Sequence, residues 1–417
     1  MEPDPAPPQS PREPRAALEP QPTLKMTALA YVPAVVAMMT IGVIVPFIDP
    51  LAAQLGASRA EIGFAIALFS TPSAVFATVG GGLMDTYGLR RALLLAACVS
   101  TAGSFLASRA NSLIALDAAM VVAGVGFGAL CVGLPCVIMT TLAGGARIRA
   151  MSFASTFAPT GYAAGLLLAV PFTTAGAWRD ALLLHAGLMT VVAAGLALWM
   201  PSIDLGMRRP HTGRQRVAGL LEVFREPRAL RLGIAVALPN ALSYGTSLAA
   251  PSYLARVHHL SLATSSASVA LAKLTAMIIG GLCMGYLLSR AVAPRLLFAV
   301  MAAVGLAAQA LLFLPAQGIA LATAALVLWL FAFGGMAGGA MTLLSTVTRN
   351  PAQGGAASGL VNQCISLASF AAPSTWLALH DGAQYVSLAA GCLLVSFLAL
   401  PGAAVAPDTA PSTVRGS

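Results

Sequence analysis

Twelve long apolar runs constrain the fold of this chain more than any other feature. Most have about 18 to 25 residues, the length that an α-helix needs to cross a bilayer core of roughly 30 Å. The composition agrees, because 58% of the 417 residues are hydrophobic and only 9% are charged. We therefore predict an all-α polytopic membrane protein with twelve transmembrane helices. The predicted segments are 27–48, 60–80, 92–108, 113–140, 151–173, 180–200, 231–254, 264–288, 294–314, 318–345, 355–377 and 384–404.

The widest break between these segments divides them into two groups of six. It is the central loop, 201–230, which we expect to separate an N-terminal six-helix bundle at 25–200 from a C-terminal one at 231–404. The proline-rich stretch 1–24 is predicted to be a disordered tail, and 405–417 a second loose tail. The first apolar run continues without an Ala-x-Ala stop, so a cleaved signal peptide is not predicted.

The basic residues predict the orientation in the membrane. Eighteen of the 23 lysines and arginines fall on the side of the N-terminus, four fall on the opposite side, and Lys273 lies within a helix. Cytoplasmic loops carry an excess of Lys and Arg, so we expect both termini in the cytoplasm. The net charge of +9 then reflects topology rather than nucleic-acid binding. Without a targeting signal, we expect a bacterial inner membrane protein.

The six cysteines all lie within apolar runs, without a His/Cys cluster. They predict small buried residues rather than a disulfide framework or a metal site, and we expect no cofactor.

A short hinge between the second and third segments recurs between the eighth and ninth. The first copy is GGLMDTYGLRRALLL at 81–95, and the second, GYLLSRAVAPRLLFA, starts at Gly285. A shift of 204 residues aligns Gly81 with Gly285 and Arg91 with Arg295. Two six-helix halves with corresponding hinges are typical of transporters built from parallel repeats.

The first hinge resembles a motif of the major facilitator superfamily, Gly-x-Leu-x-Asp-Arg-x-Gly-Arg-Arg/Lys. The chain departs from it at Thr86 and Leu89, where the family usually has basic residues. The resemblance covers 27–404 and implies two six-helix bundles that alternate in access, and a monomer. The matching residues, at the motif position or within one residue of it, are Gly81, Leu83, Asp85, Gly88, Arg90 and Arg91.

The resemblance also implies that Asp85 helps to hold the cytoplasmic side closed while the transporter faces outward. An arginine partner and a helix N-terminus both stabilise a carboxylate. In the alternative interpretation, Asp85 is solvated, and Arg90 and Arg91 only anchor the chain at the cytoplasmic surface. Ser289 stands where the second hinge would carry the acid, so no second ionic latch is expected there.

Lys273 is the clearest candidate for contact with a transported solute, because an ionisable group deep in a membrane helix is costly. It could meet an anionic group or respond to proton release, or it could instead pair with a backbone carbonyl or extend to the membrane surface. Asn240 and Tyr244 share one face of the seventh segment, and the resemblance implies that this helix lines the central cavity. Asn362 and Gln363 could line the cavity or join helices.

Two acids are candidates for proton coupling. Asp117 lies about one turn into the fourth segment, where it could carry a proton or cap the helix at the interface. Asp49 is predicted to close the first segment, between Pro46 and Pro50, and a surface cap is the preferred interpretation.

Small residues at helical spacing predict close helix packing. The fourth segment holds Gly124 and Gly128, and the tenth holds Gly334 and Gly338. The fifth segment contains FAPTGYAAG, with Pro159 and Gly161. It weakly resembles the Gly-Pro-rich motif of proton-linked exporters of the superfamily.

The leading hypothesis is therefore a secondary transporter in the lipid bilayer that exports a small organic solute, coupled to protons. Such a solute could be a drug, a siderophore-like chelate or a metabolite. The alternative is proton-coupled uptake of a small organic anion that pairs with Lys273. A membrane-embedded enzyme is less favoured because the acids are dispersed. A primary pump would need a phosphate-binding loop of the GxxxxGK[ST] type, which the sequence lacks.

Overall fold

The computed structural model describes residues 23–142, 146, 150–151, 153–154, 156–201, 227–290, 292–314, 318–347 and 354–401. These residues are almost entirely helical and form no strand, which confirms the predicted all-α fold. The helices are α1 Thr23–Ile44, α2 Ile48–Leu55, α3 Arg59–Tyr87, α4 Leu89–Ser108, α5 Leu113–Thr141, α6 Phe157–Ala169, α7 Trp178–Trp199, α8 Pro227–Val257, α9 Leu262–Ser289, α10 Pro294–Phe313, α11 Ile319–Val347, α12 Gly354–Leu377 and α13 Gly382–Ala399.

Within the described part of the chain, nine spans are long and apolar enough to cross a membrane. The first of them, Lys25–Leu55, comprises α1, a 3-10 turn at Val45–Phe47 and α2. It therefore continues past Asp49, which lies in the first turn of α2, and the prediction that Asp49 closes this segment is wrong. Pro46 lies in the 3-10 turn, where it offers no backbone N–H, and the chain continues until Gly56, which adopts a φ of 62°.

The two halves of the chain pack their helices in the same way. In the N-terminal half, α1 packs on α6, α3 on α5, and α4 on both α5 and α7. In the C-terminal half, α8 packs on α12, α9 on α11, and α10 on both α11 and α13. Equivalent helices thus make equivalent contacts, as expected of a repeated unit.

The start of the third helix in each half is tied to the end of that half by an arginine. Arg90 Nη2 in α4 donates to the carbonyl oxygen of Ala197 in α7 at 2.5 Å. Arg295 Nη2 in α10 donates to the carbonyl oxygen of Leu400, just after α13, at 3.1 Å. We call the end of the bundle that holds these contacts and residues 201 and 227 the central-loop end. The opposite end is the distal end.

Candidate functional site

The two halves meet along two helix pairs, α3 with α12 and α6 with α9. We call this interface the seam. At the distal end, Arg59 Nη2 of α3 donates to Ser252 Oγ of α8 at 2.8 Å, across the seam. The same guanidinium pairs with Asp49 at 3.3 Å, so one arginine links both halves at this end.

Close backbone packing accompanies this polar contact. A Cβ atom added to Gly63 of α3 would lie 2.7 Å from the carbonyl oxygen of Pro373 in α12. One residue further, Phe64 packs edge-on against Phe370 with ring centroids 6.0 Å apart. These contacts close the distal side of the seam.

Midway across the bundle, α8 carries four polar side chains on one face. They are Asn240, Ser243, Tyr244 and Ser247, at spacings of three, four and seven residues from the first. The hydroxyls of Ser243 and Tyr244 are buried without a hydrogen-bond partner of good geometry, although Tyr244 approaches Ser70 of α3. We call these four residues the α8 stripe.

Lys273 of α9 reaches the α8 stripe. It lies eleven residues after Leu262, about 16 Å along the helix axis, and is only 7% exposed. Its Nζ donates to Ser247 Oγ at 2.8 Å and lies 4.3 Å from the ring centroid of Tyr162 in α6. The Tyr162 hydroxyl in turn donates to the carbonyl oxygen of Ser247 at 2.7 Å. These three residues join α6 of one half to α8 and α9 of the other.

Asn240 lies at the other end of the stripe and donates from Nδ2 to Ser369 Oγ of α12 at 3.0 Å. It lines a cavity of about 130 Å³ with apolar neighbours such as Phe333 and Ile365. Asn362 is exposed and Gln363 is partly buried, and both lie about two turns before Ser369 in α12. The structure therefore brings Asn240, Tyr244 and Lys273 to one region, whereas Asn362 and Gln363 lie nearer the central-loop end.

The two acids proposed for proton coupling lie at the distal end. Asp117 is in the second turn of α5, and its Oδ1 is buried without a hydrogen-bond partner. The carboxylate of Glu61, at the start of α3, is near enough to interact with it electrostatically. Asp49 is engaged by Arg59. Neither Asp117 nor Asp49 therefore contacts the α8 stripe.

The hinge residues are described only in part. The surroundings of Gly81 and the side chain of Asp85 are not among the features that the structure describes, so the proposed latch stays a prediction. Gly88 forms the turn between α3 and α4 with a φ of 78°, a conformation that favours glycine. Arg90 binds the end of α7, and Arg91 is exposed.

The small residues lie at close contacts within each half. A Cβ atom on Gly124 would meet the backbone of Phe69, and one on Gly334 would meet the backbone of Met277. Gly338 faces Gly281, with 3.3 Å between its added Cβ and the Gly281 Cα. Gly161 similarly approaches the backbone of α1, while Gly128 and Pro159 are buried.

His185 of α7 has a structural environment. Its Nε2 lies 2.7 Å from the carbonyl oxygen of Val36, and its Nδ1 lies 3.0 Å from Ser104 Oγ. A carbonyl only accepts, so Nε2 carries the proton and Nδ1 accepts from Ser104. This neutral tautomer holds α7 to α1 and α4.

Sequence reasoning missed Tyr162, Ser243 and Ser247 as site residues. Tyr162 lies within the stretch FAPTGYAAG, of which the sequence analysis considered only Pro159 and Gly161. The helical spacing from Asn240 could have identified both serines, because polar residues three, four and seven positions apart share one face. No sequence pattern links Tyr162 to Lys273, which are 111 positions apart and meet only in the folded chain.

Comparisons with known proteins agree with this architecture. The chain is 12% identical to a mutant of the nucleoside transporter NupG, with a TM-score of 0.74, covering 91% of this chain and 98% of that one. It is 13% identical to an inward-facing, unoccupied bacterial homologue of the human lysosomal transporter Spinster, with a TM-score of 0.68, covering 91% of this chain and 94% of that one. It is 14% identical to the inward-open xylose transporter XylE from E. coli, with a TM-score of 0.68, covering 91% of this chain and 97% of that one.

At these identities the structural likeness establishes the fold alone, and no curated protein sequence matches the chain. The family assignment comes from the model of the Major Facilitator Superfamily, which matches residues 31–373. The chain therefore belongs to the Major Facilitator Superfamily and is a multi-pass membrane transporter, not an enzyme, that moves small solutes by alternating access.

Proposed function

We propose that this transporter exports a small organic solute in exchange for protons, and that the solute crosses along the seam. The α8 stripe carries this proposal. Polar groups at membrane depth are costly unless they are paired. The Ser243 hydroxyl is buried without a hydrogen-bond partner, and the buried Tyr244 hydroxyl has only the approach of Ser70. A solute that hydrogen-bonds to them would complete the site.

The contacts that close the distal side are suited to repeated opening. They include the Arg59–Ser252 hydrogen bond, one aromatic pair and the close approach at Gly63, together with contacts of the 3-10 turn at Val45–Phe47 with α8 and α9. Contacts of this size can be exchanged for others in each transport cycle.

The direction and the coupling ion rest on further residues. Export is supported by the resemblance of the sequence around Pro159, Gly161 and Gly165 in α6 to the motif of proton-linked exporters. Asp117 is our candidate for the proton site, because its Oδ1 is buried without a hydrogen bond and Glu61 is close by. We propose that the central-loop end faces the cytoplasm of a bacterial cell, since the sequence predicts eighteen of the 23 basic residues on the side of the N-terminus, where that end lies.

Comparative metabolite analysis tests this proposal. Small molecules in the medium and the cytosol are compared between cells that overexpress the chain and cells that express Asp85→Asn at equal membrane abundance. We expect at least one compound to be enriched in the medium only with the unmodified chain. In everted membrane vesicles, the same compound should accumulate inside and be released when a protonophore collapses the proton gradient.

Each part of the proposal has its own contradicting result. A compound drawn down from the medium would refute export and favour uptake of a small organic anion. Accumulation that survives the protonophore would refute proton coupling. Full proton-driven accumulation by Asp117→Asn would exclude Asp117 as the proton site.

A further inference from the structure

Lys273 is a buried ionisable side chain for which the described residues provide no counter-ion. Five acids have described side chains, and all of them lie in the first two turns of helices, or just before a helix, at the distal end. They are Asp49, Glu61, Asp117, Asp180 and Asp381. Lys273 lies about 16 Å from that end, as measured along α9. The charge is therefore separated from them by about half the thickness of the bilayer core.

The groups that surround the ammonium compensate its charge only in part. Ser247 Oγ accepts one hydrogen bond, and the ring of Tyr162 offers its negative face. An ammonium has three N–H donors, and Ser247 takes one of them. In a medium of low dielectric constant, a cation with so few partners strongly favours an anion that can approach it.

The same contacts span the seam. Tyr162 belongs to the N-terminal half, whereas Lys273 and Ser247 belong to the C-terminal half. Separation of the halves at this level must therefore take the Tyr162 ring away from the ammonium. An anion that pairs with Lys273 would compensate for this loss, so its binding would be linked to the movement of the halves.

We infer that Lys273 binds the anionic group of a small organic solute, and that the Tyr162 ring and Ser247 take the place of that group when no solute is bound. The hydroxyls of Ser243, which has no hydrogen-bond partner, and of Tyr244, which only approaches Ser70, lie one turn away on the same helix face and would bind polar atoms of the solute body. A carboxylate is the simplest group of this chemistry. The inference rests on the proposed function in one respect, that the bound anion is the transported solute.

Ligand-dependent thermal unfolding of the purified full-length protein tests the site without reference to transport. The probes are benzoate, phenylacetate and hexanoate, each paired with its neutral carboxamide, at constant chloride concentration. The chain has only two lysines, Lys25 and Lys273, so Lys25→Met is a matched control for Lys273→Met. Lys273→Arg keeps the positive charge.

We expect at least one carboxylate, but not its amide, to raise the Tm of the unmodified protein by about 2–5 °C. The shift should persist in Lys25→Met, persist in part in Lys273→Arg and vanish in Lys273→Met. Tyr162→Phe keeps the ring beneath the ammonium and should retain the shift. If Lys273→Met does not fold, a reduced shift in Lys273→Arg beside the full shift in Lys25→Met still locates the site, and equal shifts in the two variants would overturn the inference.

Three results would overturn the inference: no stabilisation by any of the carboxylates, equal stabilisation by acid and amide, or stabilisation that persists in Lys273→Met. The metabolite experiment separates this failure from failure of the proposed function. Export of a neutral or cationic compound would refute the claim that the bound anion is the transported solute and leave export intact. Stabilisation by a carboxylate that the cells do not export would support the site and refute its role in export.

Discussion

Gly63 offers a direct test of how the distal side closes. It is the fifth residue of α3 and faces the backbone of α12 across the seam. In Gly63→Ala, the new Cβ atom would lie 2.7 Å from the Pro373 carbonyl oxygen and 2.9 Å from the backbone nitrogen of Ser374. Ordinary contacts begin near 3.4 Å, so the two helices must separate by about 0.7 Å. Backbone atoms on both sides leave no flexible side chain to yield.

Overpacking of this kind costs about 1–3 kcal/mol. Because the contact exists only while the distal side is closed, the cost falls on that state alone. The gain in helix propensity from glycine to alanine applies to both states and cancels. A bias of about 1–3 kcal/mol changes the ratio of distal-open to distal-closed molecules by about 5- to 150-fold.

Distances between two spin labels measure this ratio. Ala53→Cys in α2 and Ala383→Cys in α13 place one exposed label on each half at the distal end, after replacement of the six native cysteines. We expect the long-distance population to grow in Gly63→Ala. It should not grow in Gly187→Ala, where a Cβ atom meets nothing within 4 Å. Equal distance distributions in Gly63→Ala and the unmodified protein would refute this account of closure.

Three further predictions concern single side chains. Arg59→Ala removes the hydrogen bond across the seam and should weaken distal closure by about 1–2 kcal/mol, measured as growth of the same long-distance population. Asp49→Asn should change the free energy of distal closure by less than about 1 kcal/mol, because that carboxylate is 45% exposed. His185→Phe removes two buried hydrogen bonds and should lower the free energy of unfolding by about 1–3 kcal/mol with transport per folded molecule unchanged. A loss of transport at unchanged Tm would instead indicate a proton relay. If the latch predicted from the hinge motif contributes about 1–3 kcal/mol, Asp85→Asn should shrink the distal-open population, whereas Gly63→Ala enlarges it. An unchanged ratio of distal-open to distal-closed molecules in Asp85→Asn would argue against the latch.

Much of the architecture could be predicted from the chain alone. The length of the apolar runs is set by the thickness of the bilayer, so the helices could be located to within a few residues. The two largest errors are of seven residues each: the second segment continues to Tyr87, and the first continues through Pro46 to Leu55. A proline usually suggests the end of a helix, but Pro46 lies in a 3-10 turn after which the chain continues as a second helix.

The depth of Lys273 was also readable from the sequence, because position in a membrane helix follows from residue count. The residues that contact Lys273 could not be predicted from the sequence. In water, a helix reveals its buried face by hydrophobic periodicity, but a membrane helix is apolar toward lipid and toward its neighbours alike. The chain therefore does not indicate which face of α6 meets α9, and only the tertiary structure brings Tyr162 beneath the ammonium.

The sequence by itself thus determined that the protein is a bundle of membrane helices in two repeated groups, because insertion into lipid depends on composition and length. The tertiary structure decided which polar side chains meet. It paired Asp49 with Arg59 at the distal end, assigned His185 to packing, and joined Lys273, Tyr162 and Ser247 across the seam. These contacts depend on the rotation and approach of whole helices, which small residues such as Gly63 permit and which no local pattern specifies.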